Sequence, residues 1–202
     1  MWSAEQVSAF LATVADDRLY GAWWLLSTAG LRRGEVLGLR WQDLNLERRR
    51  LAVVRSLTQR GRELAFTEPK TRRGRRSLAL DECTVLILES HRRRQLEERL
   101  ALGLGRPAPD GLIFTDPLGE PLRPDSFSQM FTRQVAKLDL PRIRLHDLRH
   151  SAASLMLQSG ANVKTVSERL GHASTAFTMD VYAASVPALE EETAAKVAAL
   201  LD

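Results

Sequence analysis

The sequence predicts a mixed α/β domain that is predominantly helical and carries a small three-stranded antiparallel sheet. Three observations predict it. Apolar residues recur at helical spacing up to about Arg40, the pattern shortens to apolar or alternating runs between Arg50 and Leu80, and helical spacing returns from Glu82 onward. A sheet inserted between helices is a mixed architecture in which the helices carry most of the core.

Each element has its own warrant. "SAEQVSAFLATV" opens with Ser3 as N-cap and Gln6 at the capping-box position, with Val7, Phe10, Leu11 and Val14 on one face. A second helix is expected from about Arg18 to Thr28, ending near Gly30, and a short third one after Leu31 to Arg33 with Val36, Leu37 and Leu39 in the core. "LAVVRSL", "ELAF" and "RSLAL" read as the three strands, separated by "TQRGR" and by the turn Thr67 to Arg75, which carries Lys70. "ECTVLILESHRRRQLEERLALG" is a helix expected to bury Val85, Leu86, Leu88 and Leu96. A Pro- and Gly-rich connector holds one further short strand, "LIFT", before a helix whose stripe is Phe127, Met130, Phe131, Val135 and Leu138. The helix through "HDLRHSAASL" places Leu148, Ala152 and Leu155 on one stripe, with His146, Arg149 and His150 roughly opposite. Asn162 then caps a helix that Gly171 stops, and Ser174 caps a last short one in which Phe177 and Val181 face inward while Thr178 and Tyr182 share another face. No repeat or linker divides the chain, so residues 1–202 read as one domain.

Composition narrows the function. The 202 residues are 44% hydrophobic and 27% charged, an ordinary globular balance. A single cysteine, Cys83, excludes an intrachain disulfide framework, and no N-terminal segment reads as a secretory signal, so a cytoplasmic protein is expected. The most apolar run, "AWWLLSTAGL", is about half the roughly 20 residues that span a bilayer and reads as a core helix, with no membrane role. The net charge of +4 hides an asymmetry: Glu47 to Arg76 holds eleven Arg or Lys and three Glu, whereas Pro187 to Asp202 holds four acids and one Lys. Of 29 basic residues 25 are arginine, the side chain that forks onto phosphate oxygens. A polyanion, most simply nucleic acid, is the expected partner, the alternative being arginine codons of a high-GC genome spread over a solvated surface.

The stretch "HDLRH" poses a choice of chemistry. His146 and His150 lie one helical turn apart, as in the zinc-protease pattern, but Arg149 beside them would repel a bound dication. Four segments in order decide the reading: "TAGLRRGEVLGLRW", "PKTRRGRRSLAL", "HDLRHSAASLMLQSG" and "LGHASTAFTMDVYA". Together they resemble the catalytic domain of tyrosine site-specific recombinases, the phage integrase family, from the first helix to about Tyr182.

The resemblance implies a tyrosine-recombinase catalytic-domain fold and an active site of Arg32, Lys70, His146, Arg149, His172 and the nucleophile Tyr182, with Glu35 supporting Arg32. It implies DNA cleavage and rejoining through a covalent 3′-phosphotyrosine, without metal or nucleotide cofactor. A tyrosine oxygen that stays attached conserves the bond energy of the broken phosphodiester. Arginines and a histidine donor can stabilise the extra negative charge of the pentacoordinate transition state. His146 is the expected base for the phenol and Lys70 the acid for the leaving 5′ oxygen. Arg72, Arg73, Arg75 and Arg76 are expected to grip the DNA backbone. Ala184 stands where many members have a histidine, two residues after the nucleophile.

Family likeness also implies self-association into a tetramer on DNA, from a chain that can be monomeric in isolation, with accessory DNA-bending proteins as further partners. An upstream DNA-binding domain, usual in full-length members, is expected to be absent from this chain. The acidic segment 187–202, with Leu189, Val197, Leu200 and Leu201 at near-helical spacing, is expected to pack on its own domain or on a neighbouring protomer. The competing readings are relaxation of DNA by a type IB topoisomerase, a zinc hydrolase built on His146 and His150, and a non-catalytic DNA-binding module.

Overall fold

The computed structural model describes residues 1–68 and 74–171. Seven α-helices and five strands follow in the order α1 (Ala4–Thr13), α2 (Tyr20–Thr28), α3 (Arg33–Leu37), β1 (Leu44–Asn45), β2 (Arg50–Val53), β3 (Ser56–Arg60), β4 (Glu63–Thr67), β5 (Arg76–Ala79), α4 (Glu82–Ala101), α5 (Pro124–Val135), α6 (Asp147–Gln158) and α7 (Val163–Leu170) among these residues. Helix α1 begins at the expected capping box: Gln6 N donates to Ser3 Oγ, and Ser3 N donates to Gln6 Oε1. Asp81 caps α4, Pro124 opens α5 at a position where its missing N–H costs nothing, and Asn162 caps α7.

Helix α2 is the centre of the core and packs against both α4 and α6. Its Trp23 stacks on Phe127 of α5 with ring centroids 4.5 Å apart, and Phe10 meets Phe131 edge-on at 5.4 Å. Trp2 closes this aromatic layer over Phe10 and Phe131, while its backbone N–H donates to Ser151 Oγ at 2.8 Å. The N-terminus is thereby fastened to α6, the helix that carries the histidine–arginine motif.

The strand arrangement differs from the expected one. A three-stranded antiparallel sheet does form, in the order β1-β2-β5, with Leu51 opposite Leu78. The run "LAVVRSL" breaks after Val53, and β3 pairs with β4 in a separate hairpin closed at Gly61. Packing against α3 explains the break, because β3 lies so close to Gly34 that a Cβ there would come within 2.6 Å of the Leu57 carbonyl. Strand β1, two residues long, is too short for any alternation to mark it. "LIFT" is not a strand: only isolated bridges form, Arg40 with Leu112 and Thr115 with Pro121, although Ile113 and Phe114 are fully buried.

Helix α4 also buries a different face. Thr84, Leu88, His91 and Gln95 point inward, whereas Leu86 is 59% exposed. The polar side chains on this face of α4 have partners: Trp24 Nε1 donates to Thr84 Oγ1, Trp41 Nε1 donates to Gln95 Oε1, and His91 Nε2 lies 2.7 Å from the Ile113 carbonyl, which makes that nitrogen the donor. No helix among the described residues is long and apolar enough to cross a membrane.

Candidate active site

The site forms where α3, α6 and the end of α7 converge. Arg32 occupies the N-cap of α3, and the Glu35 carboxylate curls back to it: Arg32 N donates to Oε2 and Arg32 Nη1 to Oε1, both at 2.8 Å. Glu35 is only 5% exposed and is also gripped from β5 by Arg76, whose Nη1 and Nη2 reach its two oxygens at 3.0 and 2.9 Å. Burial pushes the Glu35 carboxyl up, but the hydrogen bonds and charge of Arg76, then those of Arg32, outweigh it and hold the group below the usual carboxylate range.

Arg149 completes the cluster from α6. It is 3% exposed and donates through Nη1 to the Gly30 carbonyl at 2.6 Å and through Nη2 to the Leu170 carbonyl at 2.8 Å. Burial first, and the Arg32 cation second, lower its pKa to about 9, so it remains charged at neutral pH. Three guanidiniums thus share one carboxylate, leaving a net charge of +2. The end of α7 supplies the remaining acceptors. Arg76 Nε donates to Arg169 O at 2.7 Å, Arg149 to Leu170 O, and Arg32 Nη2 to Gly171 O at 3.2 Å. Successive carbonyls left unpaired at a helix C-terminus, where the dipole is negative, are natural partners for cations. Gly171 ends α7 at φ +70, and a Cβ there would meet Arg76 Nη1 at 2.8 Å, so glycine is required on both counts.

Beside this cluster lies an open cleft of about 750 Å³, lined by Arg33, Arg142, Arg144, His146 and Arg149 together with Ser128 and Thr132 of α5. His146 sits at the N-cap of α6, exposed, with its ring edge-on to His150 at 5.3 Å between centroids. Partial burial, His150 and Arg149 all depress the His146 pKa, so its imidazole is neutral at pH 7 and able to accept a proton. Arg144 forks onto Asp147, at 3.0 Å from Nη2 to Oδ1, and this fixes the turn leading into His146.

The placement of α6 corrects its expected face. Arg149 is not on an open polar side with His146 and His150 but packed inward, because Ser151, Ala152 and Ala153 are small enough for α6 to be covered on most sides. Arg75, expected at the DNA backbone, has a half-exposed side chain paired with Glu68. Arg76, expected beside it, is instead turned inward, its side chain 7% exposed. Lys70, Arg72, Arg73, His172, Tyr182 and the segment 187–202 lie outside the described residues, as does the short helix expected after Ser174. Sequence reasoning missed Arg33, Arg142 and Arg144 in the cleft. The alternation in "PRIRLH" just before His146 is the signal that could have found the last two. Among the described residues no three His, Cys, Asp or Glu side chains gather as metal ligands would.

Comparison with known proteins shows the family. The profile of the phage integrase family matches residues 2–188. The ICEBs1 integrase of Bacillus subtilis is 33% identical over 99% of this chain and 54% of its own length. A tyrosine recombinase XerC-like protein of Caldanaerobacter subterraneus is 29% identical over 92% of this chain and 50% of its own. The chain therefore spans about half the length of these curated relatives. Among solved structures, the Tn1549 transposon integrase in complex with transposon right end DNA superposes with a TM-score of 0.76 at 25% identity, covering 95% of this chain and 65% of that one. With the family profile running over nearly the whole length, the chain belongs to the phage integrase family.

Proposed function

We propose that this chain is the catalytic domain of a site-specific DNA recombinase, an integrase that cleaves and rejoins DNA through a covalent 3′-phosphotyrosine. The observation that carries the reading is the cluster of Arg32, Arg76 and Arg149 around the single Glu35 carboxylate, a fixed surplus of positive charge at the rim of a cationic cleft. A phosphodiester entering this cleft meets donors that need no rearrangement as negative charge grows on its non-bridging oxygens. Tyr182 is the nucleophile: its phenol oxygen forms the bond to phosphorus as the bond to the 5′ oxygen breaks. His146, neutral at pH 7, takes the phenol proton, and Lys70 supplies one to the leaving 5′ oxygen. Attack by a DNA 5′ hydroxyl then reverses the step and reseals a strand, with no net hydrolysis. His172, immediately after Gly171, is the third donor to the phosphate, and Arg72, Arg73 and Arg75 bear on the DNA backbone.

The Tn1549 neighbour's DNA complex and the integrase relatives support DNA as substrate and an integrative element as the setting. Strand exchange between two duplexes implies four protomers on DNA, and a cytoplasmic location follows from the substrate. Incubation with suicide DNA carrying the cognate site, in EDTA, tests the chemistry. A covalent protein–DNA adduct is expected from the natural chain and none from Tyr182→Phe. Cleavage that EDTA abolishes, or no adduct on the cognate site, overturns the proposal.

A further inference from the structure

Arg76 is not an exposed member of the arginine-rich stretch that begins after Glu47. Its neighbour Arg75 has a side chain 54% exposed, whereas that of Arg76 is 7% exposed and its hydrogen bonds run inward, two to Glu35 and one to the Arg169 carbonyl. A buried arginine with a forked bond to a buried carboxylate does not grip a DNA backbone. Its location gives it another task. It opens β5, six residues after Lys70 in the chain, and it touches both the glutamate that holds Arg32 and the end of α7, two residues before Gly171 and three before His172. The absence of a Cβ at Gly171 leaves the space its guanidinium fills.

We propose that Arg76 is a positioning residue for the reaction: by clamping Glu35 and the Arg169 carbonyl it holds the Arg32 guanidinium in place and ties the strand after Lys70 and the helix before His172 to the same point. The inference rests on the recombinase reading for its chemical consequence, but the clamp itself can be measured without DNA. Glu35 faces Arg32 on its own helix end, Arg76 from β5 and Arg149 from α6, so removal of Arg76 leaves two cations near it, of which only Arg32 is bonded to it. Without its forked partner the buried carboxylate becomes easier to protonate, and a protonated Glu35 releases Arg32.

The test compares the full 202-residue chain with Arg76→Met, Arg76→Lys and the double variant Glu35→Gln/Arg76→Met. Single-turnover cleavage of suicide DNA is followed over a range of pH, and Arg32 Nε–H exchange is followed by NMR on the free protein. Arg76→Met is expected to cleave about 100-fold more slowly, as misplacement of a catalytic group by ~1 Å does. Beyond the acid limb that protonation of His146 gives every variant, it should gain a second one that is absent from the natural chain and from the double variant, which has no carboxylate to titrate. Arg76→Lys, keeping charge without the fork, should recover part of the rate and part of the profile. Arg32 Nε–H exchange should quicken in Arg76→Met even without DNA. A folded Arg76→Met whose rate stays within about threefold of the natural chain, with the same pH profile, overturns the proposal, and so does unchanged Arg32 exchange. If the natural chain itself forms no adduct, the recombinase reading falls, and the exchange measurement alone decides the clamp.

Discussion

Gly30→Ala is the change that most directly probes how the cationic cluster is built. Gly30 lies at φ +62, between α2 and α3, and its carbonyl accepts the 2.6 Å bond from Arg149. A Cβ at this position would overlap Leu170 Cδ2 and come within 3.4 Å of Ala152 Cβ, and both neighbours are buried. Left-handed backbone costs a non-glycine residue roughly 1–2 kcal/mol, and forcing a methyl group into a packed core roughly 1–3 kcal/mol more. The loss should therefore be about 2–5 kcal/mol, a large share of the roughly 5–15 kcal/mol that holds an ordinary domain together. Gly61→Ala is the internal control, since Gly61 has φ +58 but nothing within 4 Å of its would-be Cβ, so only the backbone cost applies. Urea unfolding of both variants beside the natural chain separates the two contributions. Equal losses in the two variants would refute the packing argument.

Two further outcomes follow from the same geometry. His91, buried against Trp41 and Phe114, has its pKa depressed by desolvation, and His146 and His150 are depressed as well. A histidine whose folded pKa lies below its free value contributes stability that is present above about 6.5 and is lost as pH falls through that value toward the folded one. The urea midpoint should then drop between about pH 7.5 and about pH 5.5, and His91→Gln should show a smaller drop; an equal drop would remove His91 from the account. In the cleft, Arg142→Ala should weaken DNA binding evenly across sequences and lower the salt slope by about one, the mark of one lost phosphate contact, measured by titration at several salt concentrations. An unchanged slope would take Arg142 off the DNA.

How much of this was legible beforehand depended on what each residue's partner was. Helix boundaries were readable because Ser3, Asn162 and Gly171 act on atoms a few positions away. The stripe of α5 was readable because Phe127, Phe131 and Val135 are apolar and buried. The inward face of α4 was not, because Thr84, His91 and Gln95 earn burial through bonds to Trp24, Ile113 and Trp41, distant in sequence and invisible to a hydropathy pattern. Arg32, His146 and Arg149 stand in motifs whose spacing betrays them, whereas Arg76 looks like one member of a charge run. Only the long-range pairing with Glu35 separates it from Arg75.

That pairing raises the question of why three buried or half-buried guanidiniums share one carboxylate. If each had its own acid, the cluster would be satisfied and neutral, and an arriving phosphate would have to compete for it. Backbone carbonyls solve the problem differently. The oxygens of Arg169, Leu170 and Gly171 accept hydrogen bonds from Arg76, Arg149 and Arg32 in turn, and the Gly30 carbonyl accepts a second from Arg149. Each bond compensates a donor that burial would otherwise leave unpaired, yet contributes no full negative charge. Orientation is thereby fixed while the net charge of the cluster survives. It also follows that the cluster is only as well ordered as the end of α7, because the three acceptors there are consecutive. The seating of α7 therefore orders all three arginines in one step.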